Sequence, residues 1–254
     1  MRKIDLTGYE AYLYNSKQKK DTIIHGNKSN ATPICVLIVM IILLTGVAFY
    51  FIETREQTNE FYFVQIDEYL NYSTASKLST EIQSKNGAGY IHFDGRYHVL
   101  ASYYPTNEEA ENVVEQLKEE YPSCSVYILE CKKFKNKANL SKEENSAIVE
   151  TLNKNLQAIN RTYADTISFD KSEINEKKLS LNLQDLLSDY DKNHQDFKKI
   201  MQNSSNFDIF NGYLTKISTA MSDSIDYAKE ANSASLKYEL IKMVVNHSAF
   251  LDCF

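Results

Sequence analysis

The longest apolar segment of the chain runs from Ile34 to Ile52 without a charged residue. An α-helix of this length is about 28 Å long at 1.5 Å per residue, which matches the hydrocarbon core of a bilayer at about 30 Å. The pattern therefore predicts a transmembrane helix over residues 33–52. A tail at 1–32 would precede this helix, and a linker at 53–60 would follow it.

The charges on the two sides of this segment differ in sign. Lysine and arginine dominate the residues before it, whereas Arg55 stands among Glu53, Glu56 and Glu60 just after it. By the positive-inside rule, the N-terminus is cytoplasmic and the rest of the chain lies outside the cell membrane. A cleaved signal peptide is the alternative, but the tail and the apolar run are both longer than is usual for one.

Residues 61–130 contain an internal duplication at a shift of 35 positions, on which Val64 falls on Val99. Each half has the pattern of a strand, a helix and a second strand. Thr106 followed by Glu109 indicates the N-terminus of the second helix. Two such units predict an α+β fold of β-α-β-β-α-β order, in which a four-stranded antiparallel sheet carries both helices on one face.

Strand alternation assigns the predicted strand residues to the two faces of this sheet, because successive side chains point to opposite sides. The apolar positions predicted to face the two helices are Val64, Ile66, Ile91, Val99, Ala101, Val126 and Ile128. The positions predicted on the open face are Phe63, Gln65, Tyr90, His92, His98, Leu100, Ser102, Tyr127 and Leu129. Aromatic rings among polar donors are typical of a binding surface. The alternative is that helices from the C-terminal region cover this face.

The period becomes helical after a basic linker at 132–140. Apolar stripes such as Leu179, Leu183 and Leu186 predict an all-α region of three to five helices over residues 141–254. These stripes are typical of the core of a helix bundle. A docking surface for another protein is the alternative.

Charge and motif content argue against several function classes. The net charge of −6 gives no electrostatic reason to expect a nucleic-acid partner. The five histidines have no zinc-protease spacing, and the sequence has no phosphate-binding glycine loop. His92 and His98 flank the hairpin signal Asp94-Gly95, but two histidines fall short of the three or four ligands of zinc. We therefore predict a protein that is not an enzyme, with no cofactor and no metal.

The four cysteines are too few for a disulfide scaffold of this size. Cys124 and Cys131 stand about 23 Å apart along one strand and cannot bridge each other. A disulfide from Cys253 to either of them is the alternative to free thiols.

Two segments, Phe61–Tyr69 and Tyr97–Ala110, resemble the SPOR domain, a peptidoglycan-binding module of bacterial division, sporulation and wall-remodelling proteins. Its pattern opens with a Tyr-Val-Gln strand, and its second half opens with Tyr-Arg-Val and leads to a Gly-Pro-Phe turn and a Glu-Ala helix. The positions that keep this pattern are Val64, Gln65, Tyr69, Tyr97, Val99, Tyr104 and Ala110. The departures are Asp67 and Ser102 in place of glycine, Tyr103 in place of the turn proline and His98 in place of arginine.

The resemblance implies that a SPOR-like domain at 61–131 binds glycan strands that lack stem peptides, across its open face. The residues implied to contact the glycan are Phe63, Gln65, Tyr90, His92, His98, Leu100, Ser102 and Tyr127. Together with the predicted transmembrane helix, the resemblance implies a single-pass membrane protein that localises to a division or sporulation septum. Its C-terminal helices would contact other division or wall-remodelling proteins. The alternative is a membrane-anchored interaction scaffold whose degenerate sheet does not bind glycan.

Overall fold

The structure is a computed structural model that describes residues 59–131, 134 and 139–253. The predicted transmembrane helix at 33–52 lies outside these residues. Among the helices that are described, none is long and apolar enough to cross a membrane. The described residues form one compact unit that begins at Asn59.

The first part of this unit is a four-stranded sheet with two helices. Its strands are β1 (Asn59–Tyr69), β2 (Tyr90–Phe93), β3 (Tyr97–Tyr104) and β4 (Ser125–Cys131). Its helices are α1 (Tyr72–Ser84) and α2 (Asn107–Leu117). The strand order is β2-β3-β1-β4, and each strand is antiparallel to its neighbours. The predicted order of strands and helices is thus confirmed.

Helix α2 begins where the sequence predicts. The Thr106 hydroxyl accepts a hydrogen bond from the Glu109 N–H at 3.2 Å, which satisfies one of the free amides of the first turn. The first helix of the C-terminal region, α3 (Lys142–Asp170), begins with the reciprocal form of this cap, in which Ser141 and Glu144 each bond the other's backbone N–H. Short polar signals of this kind mark helix starts through contacts between residues three positions apart.

A compact core of small and β-branched side chains lies between the sheet and helices α1 and α2. Its buried members are Val64, Ile66, Ala75, Ile82, Val99, Ala101, Ala110, Val114 and Cys124. The predicted helix-facing positions Ile91 and Val126 pack against this core as well. Ile128 does not, and it is 44% exposed, because it lies on the edge strand β4 beyond the reach of this cluster.

The C-terminal region is a bundle of long helices, as the apolar stripes predict. The described helices are α3 (Lys142–Asp170), α4 (Glu176–Met201), α5 (Phe207–Lys229) and α6 (Ser233–Asp252). Each helix packs on the next one along the chain, and α6 packs back on α3, which closes the bundle. Cys124, Cys131 and Cys253 are free thiols, so the structure contains no disulfide from Cys253 to either of the other two.

The bundle packs on the face of the sheet opposite α1 and α2. Helix α6 contacts β2, β3 and β4, and a shared core joins Phe63 and Leu100 of the sheet to Ile241 and Val244 of α6. The expectation that this face is open is therefore wrong over much of its area. The physical reason is that the face carries large apolar side chains, which the apolar side of α6 removes from water.

Candidate functional site: the polar end of the sheet

The face that packs on the bundle divides into two parts. The covered half consists of Phe61, Phe63, Tyr90, Leu100 and Tyr103. Phe63 and Leu100 have no exposed surface, and the Tyr90 ring lies 5.0 Å from the ring of Tyr238 on α6. Three of the residues predicted to contact glycan thus pack against the bundle instead: Phe63, Leu100 and Tyr90.

A β-bulge changes which residue of β3 lies on this face. Leu100 pairs with Gln65 and Ser102 pairs with Val64, so β3 has one more residue than β1 between the two pairs. Beyond the bulge Tyr103 packs beside Phe63, with 5.7 Å between ring centroids. The prediction that Ser102 lies on this face is therefore wrong, because the bulge shifts the alternation by one residue.

The other part, which we call the polar end, consists of Gln65, Glu68, His92, Asp94, Arg96, His98 and Tyr127. His98 lies at its centre: Nδ1 is 2.7 Å from Gln65 Oε1, and Nε2 is 2.7 Å from Asp94 Oδ1. The hairpin between β2 and β3 makes the second contact possible, since it turns Asp94 back towards β3. Gln65 and His98 are themselves mostly buried, at 7% and 6% exposure.

Asp94 joins the two ring systems of the polar end. Tyr127 donates its hydroxyl hydrogen to Asp94 Oδ2 at 2.9 Å, and its ring lies 4.7 Å from the ring of His98 and 5.5 Å from that of His92. Burial opposes the charged form of Asp94, but the hydrogen bonds from His98 and Tyr127 outweigh it and hold the pKa of this carboxyl below its usual value. Asp94 is therefore a fixed anion at neutral pH.

Burial shifts the pKa values of the two aromatic neighbours of Asp94. It lowers the pKa of His92, against the opposing effect of Asp94, so the imidazole is neutral at pH 7. Burial and the hydrogen bond to Asp94 raise the pKa of Tyr127, so its phenol stays protonated and keeps donating. The polar end thus offers a neutral imidazole and a phenol beside one carboxylate.

The solvent-facing rim of the polar end is charged. Arg96 Nε lies 3.1 Å from Glu68 Oε1, and the Glu68 Oε2 lies 3.5 Å from His98 Nδ1. The side chains of Glu68, Asp94 and Arg96 are 37%, 45% and 50% exposed, so their free lone pairs and N–H groups face water. Within the described part of the chain, no group of three His, Cys, Asp or Glu side chains could hold a metal ion.

Comparison with known families decides what this sheet is. Residues 58–128 match the family model of the SPOR domain. This segment is a SPOR domain. No curated protein and no solved structure shows a significant match to the chain. SPOR domains in general are non-catalytic modules associated with peptidoglycan binding and with the division septum.

The departures of this SPOR domain from the family pattern have structural explanations. His98, which replaces an arginine, bonds Gln65 of the Tyr-Val-Gln motif. Asp67, which replaces a glycine, follows a second register shift in β1, and its carboxylate accepts from the Glu68 N–H at 2.8 Å and the Tyr69 hydroxyl at 2.9 Å. Both substitutions thus enter hydrogen bonds within the SPOR domain.

Sequence reasoning missed three of the residues at the polar end. Gln65, His92, His98 and Tyr127 are predicted site residues, and the structure brings them together. Glu68, Asp94 and Arg96 are not among them, and Asp94 enters the sequence argument only as part of a hairpin signal. The hairpin itself could have identified Asp94, because a residue at the end of β2 comes close to the second residue of β3.

Proposed function

We propose that this SPOR domain binds the glycan strands of peptidoglycan at its polar end. Through this contact it localises a non-catalytic, single-pass membrane protein to sites of wall remodelling, such as a division or sporulation septum. The observation that carries the proposal is that the polar end keeps its charged rim in solvent, whereas the rest of the same face lies under the bundle. The family match supports peptidoglycan as the class of ligand.

The chemistry of the polar end suits a sugar chain. Carboxylates of Asp94 and Glu68 accept hydrogen bonds from hydroxyl and amide groups, and Arg96 donates them. The rings of His92 and Tyr127 offer apolar surfaces on which a sugar ring can stack. Because the network already fixes these side chains, binding costs little additional side-chain entropy.

The free-energy cost of moving the bundle favours binding of the glycan at the polar end. Exposing Phe61, Phe63, Leu100 and Tyr103 by moving the bundle away costs roughly 6–12 kcal/mol, at roughly 1.5–3 kcal/mol for each buried side chain. A micromolar ligand releases only about 8 kcal/mol. Displacing the bundle would therefore cancel most or all of the free energy that such a ligand releases, so the polar end is the favoured site.

The predicted transmembrane helix at 33–52 supports the compartment of this proposal. A cytoplasmic N-terminus delivers residues 59–253 to the wall side of the membrane, where the polymer is. Protease added to intact spheroplasts tests this orientation. Digestion of the C-terminal part is expected, and its complete protection would contradict the proposal.

The binding test uses the full chain and purified sacculi, with and without amidase treatment to remove stem peptides. Wild type is expected to sediment with sacculi, and more strongly after amidase treatment. The double variant H92A/D94A is expected to lose at least ten-fold in affinity, whereas D196A, which removes an exposed carboxylate from the bundle, is the control. Equal absence of wild-type binding to both preparations would overturn the proposal.

A scaffold that does not bind glycan is the second candidate, and the covered half favours it. Phe63 and Leu100 serve the sheet–bundle contact and not a ligand. On this hypothesis, deletion of residues 138–254 yields an aggregating sheet, and H92A/D94A leaves localisation of a fluorescent fusion unchanged. Loss of septal signal in H92A/D94A, with unchanged thermal stability, would exclude it.

A further inference from the structure

A shallow groove runs along the edge strand β2 between helices α1 and α6. Its lining includes Tyr72, Ser76, Thr80 and Gln83 of α1, Ile91 of β2 and Tyr238 of α6. None of the described residues that line it is charged. The groove lies outside the face on which the SPOR domain is expected to bind glycan, because Ile91 points towards α1 and not towards the bundle.

The groove offers hydrogen-bonding groups that the described protein leaves unused. The hydroxyls of Tyr72, Ser76 and Tyr238 make no hydrogen bond to another described residue, and Tyr72 is 57% exposed. Ser79 and Gln83 instead hold the wall in place, because their side chains donate to the carbonyls of Gly89 and Ala88. The wall is therefore fixed while its outer hydroxyls remain available.

The two tyrosines of the groove are held in position by other rings. The Tyr72 ring lies edge-on to Tyr97 at 5.6 Å, and the Tyr238 ring lies 5.0 Å from Tyr90. Gly89 allows the chain before β2 to pack closely on α1: it has φ +59°, and a Cβ there would lie 2.4 Å from the Ser79 carbonyl oxygen. Rings that are already ordered lose little entropy when a ligand stacks on them.

This combination selects one class of ligand. A phosphate or carboxylate would find no counter-charge in the groove, and an apolar peptide would leave the hydroxyl wall unpaired. A neutral sugar has hydroxyl groups for the wall and an apolar ring face for the tyrosines, and an N-acetyl substituent adds an amide that can bond Gln83 or a hydroxyl of the wall. We propose that the groove is a second saccharide-binding site, which takes uncharged N-acetylated sugar residues.

The position of the groove links it to the polar end, so this inference rests on the proposed function. Ile91 and His92 are consecutive in β2, and their side chains point to opposite sides of the sheet. β2 is an edge strand, so no further strand of the sheet lies between the two sites at its outer edge. One glycan strand can therefore contact the polar end and the groove together, and the second contact raises the overall affinity.

The test blocks the groove in the full chain and measures binding to amidase-treated sacculi and to oligomers of N-acetylglucosamine. Thr80 is exposed, so T80R fills the groove with a long charged side chain without disturbing the core. T74R is the matched control, because Thr74 is exposed on the same helix but does not line the groove. T80R is expected to weaken binding at least ten-fold and T74R less than two-fold. Y238F, which removes one hydroxyl, is expected to weaken it about three-fold.

The outcomes separate the groove from the polar end. Wild-type affinity in T80R and Y238F, together with weak binding by H92A/D94A, would overturn the groove and leave the proposed function intact. Equal losses in T80R and T74R would also overturn it, since the effect would then be one of charge alone. Absence of wild-type binding to sacculi and to the oligomers would overturn both proposals.

Discussion

On one face of the SPOR sheet, Phe63 and Leu100 are completely buried beneath α6, whereas Asp94 and Arg96 keep about half of their side chains in solvent. Both parts are built on the same strands, and both contain aromatic rings. They differ in polarity, because Gln65, His98 and Asp94 are linked by hydrogen bonds, while the covered half is held by apolar contact. Substitutions in the covered half should therefore change stability, and substitutions at the polar end should change binding.

The largest effect on stability is expected from F63A. Phe63 is fully buried between the sheet and the bundle, so its truncation leaves a cavity in their shared core. Comparable Phe to Ala substitutions cost about 3–5 kcal/mol. Urea unfolding of the full chain measures the loss. A cost below about 1 kcal/mol would mean that α6 does not hold this part of the sheet.

A pH dependence is expected from His247, which lies edge-on to Phe61 at 5.6 Å. Burial lowers its pKa to about 4, and neither ring nitrogen has a hydrogen-bond partner among the described residues. In the unfolded chain this imidazole has a pKa of about 6.5 and binds a proton more readily than in the folded state. The free energy of unfolding is therefore highest above about pH 6.5 and decreases as the pH falls towards 4. The loss is of the order of 3 kcal/mol.

The control for this pH dependence is H247L, which places an apolar side chain in the same buried position and removes the titratable imidazole. Thermal or urea unfolding at pH 7 and pH 4.5 compares the two proteins. Wild type should lose more stability than H247L over this interval. Equal losses would assign the acid sensitivity to other groups, such as His92 and His194, whose pKa values burial also lowers.

A smaller effect on stability is expected from Y127F at the polar end. It removes the hydroxyl that donates to Asp94, and a hydrogen bond of this kind contributes about 1 kcal/mol. Y213F is the matched control, because the Tyr213 ring contacts Lys216 in the bundle and lies far along the chain from the site. Y127F should also raise the pKa of Asp94, which NMR titration of the carboxyl measures. An unchanged titration would show that Tyr127 does not bond this carboxylate in solution.

The smallest effect on stability is expected from R96A. Its ion pair with Glu68 is half exposed, and such pairs contribute about 0–1 kcal/mol. Affinity for amidase-treated sacculi should nevertheless fall about three-fold, because Arg96 is the cationic donor of the rim. A large loss of stability with unchanged affinity would reverse the distinction between the covered half and the polar end.

The sequence predicts the sheet well because its signals are local. Alternation places Val64 and Val99 towards the helices, and Thr106 caps α2 as expected. The bulge that displaces Ser102 has no such signal, since no glycine or proline marks Ala101. Local patterns also distinguish the two faces of a sheet without telling what covers each of them.

The cover of the sheet depends on contacts far apart in sequence. The core shared by the sheet and the bundle contains residues nearly 180 positions apart, such as Phe63 and Ile241. Periodicity carries no information on which of these residues pack together. The apolar stripes predict that helices have a buried side, but a stripe on α6 fits a bundle core and a sheet face equally well. The transmembrane helix at 33–52 and its orientation stay predictions.

The core that the sheet shares with α6 affects how localisation reporters should be designed. A fluorescent fusion of residues 58–128 alone would carry Phe61, Phe63, Leu100 and Tyr103 without their helical cover, and such an apolar surface promotes aggregation. A diffuse or punctate signal from that fusion would then report its poor solubility and not its lack of affinity for the wall. Reporters that extend through α6 avoid this artefact.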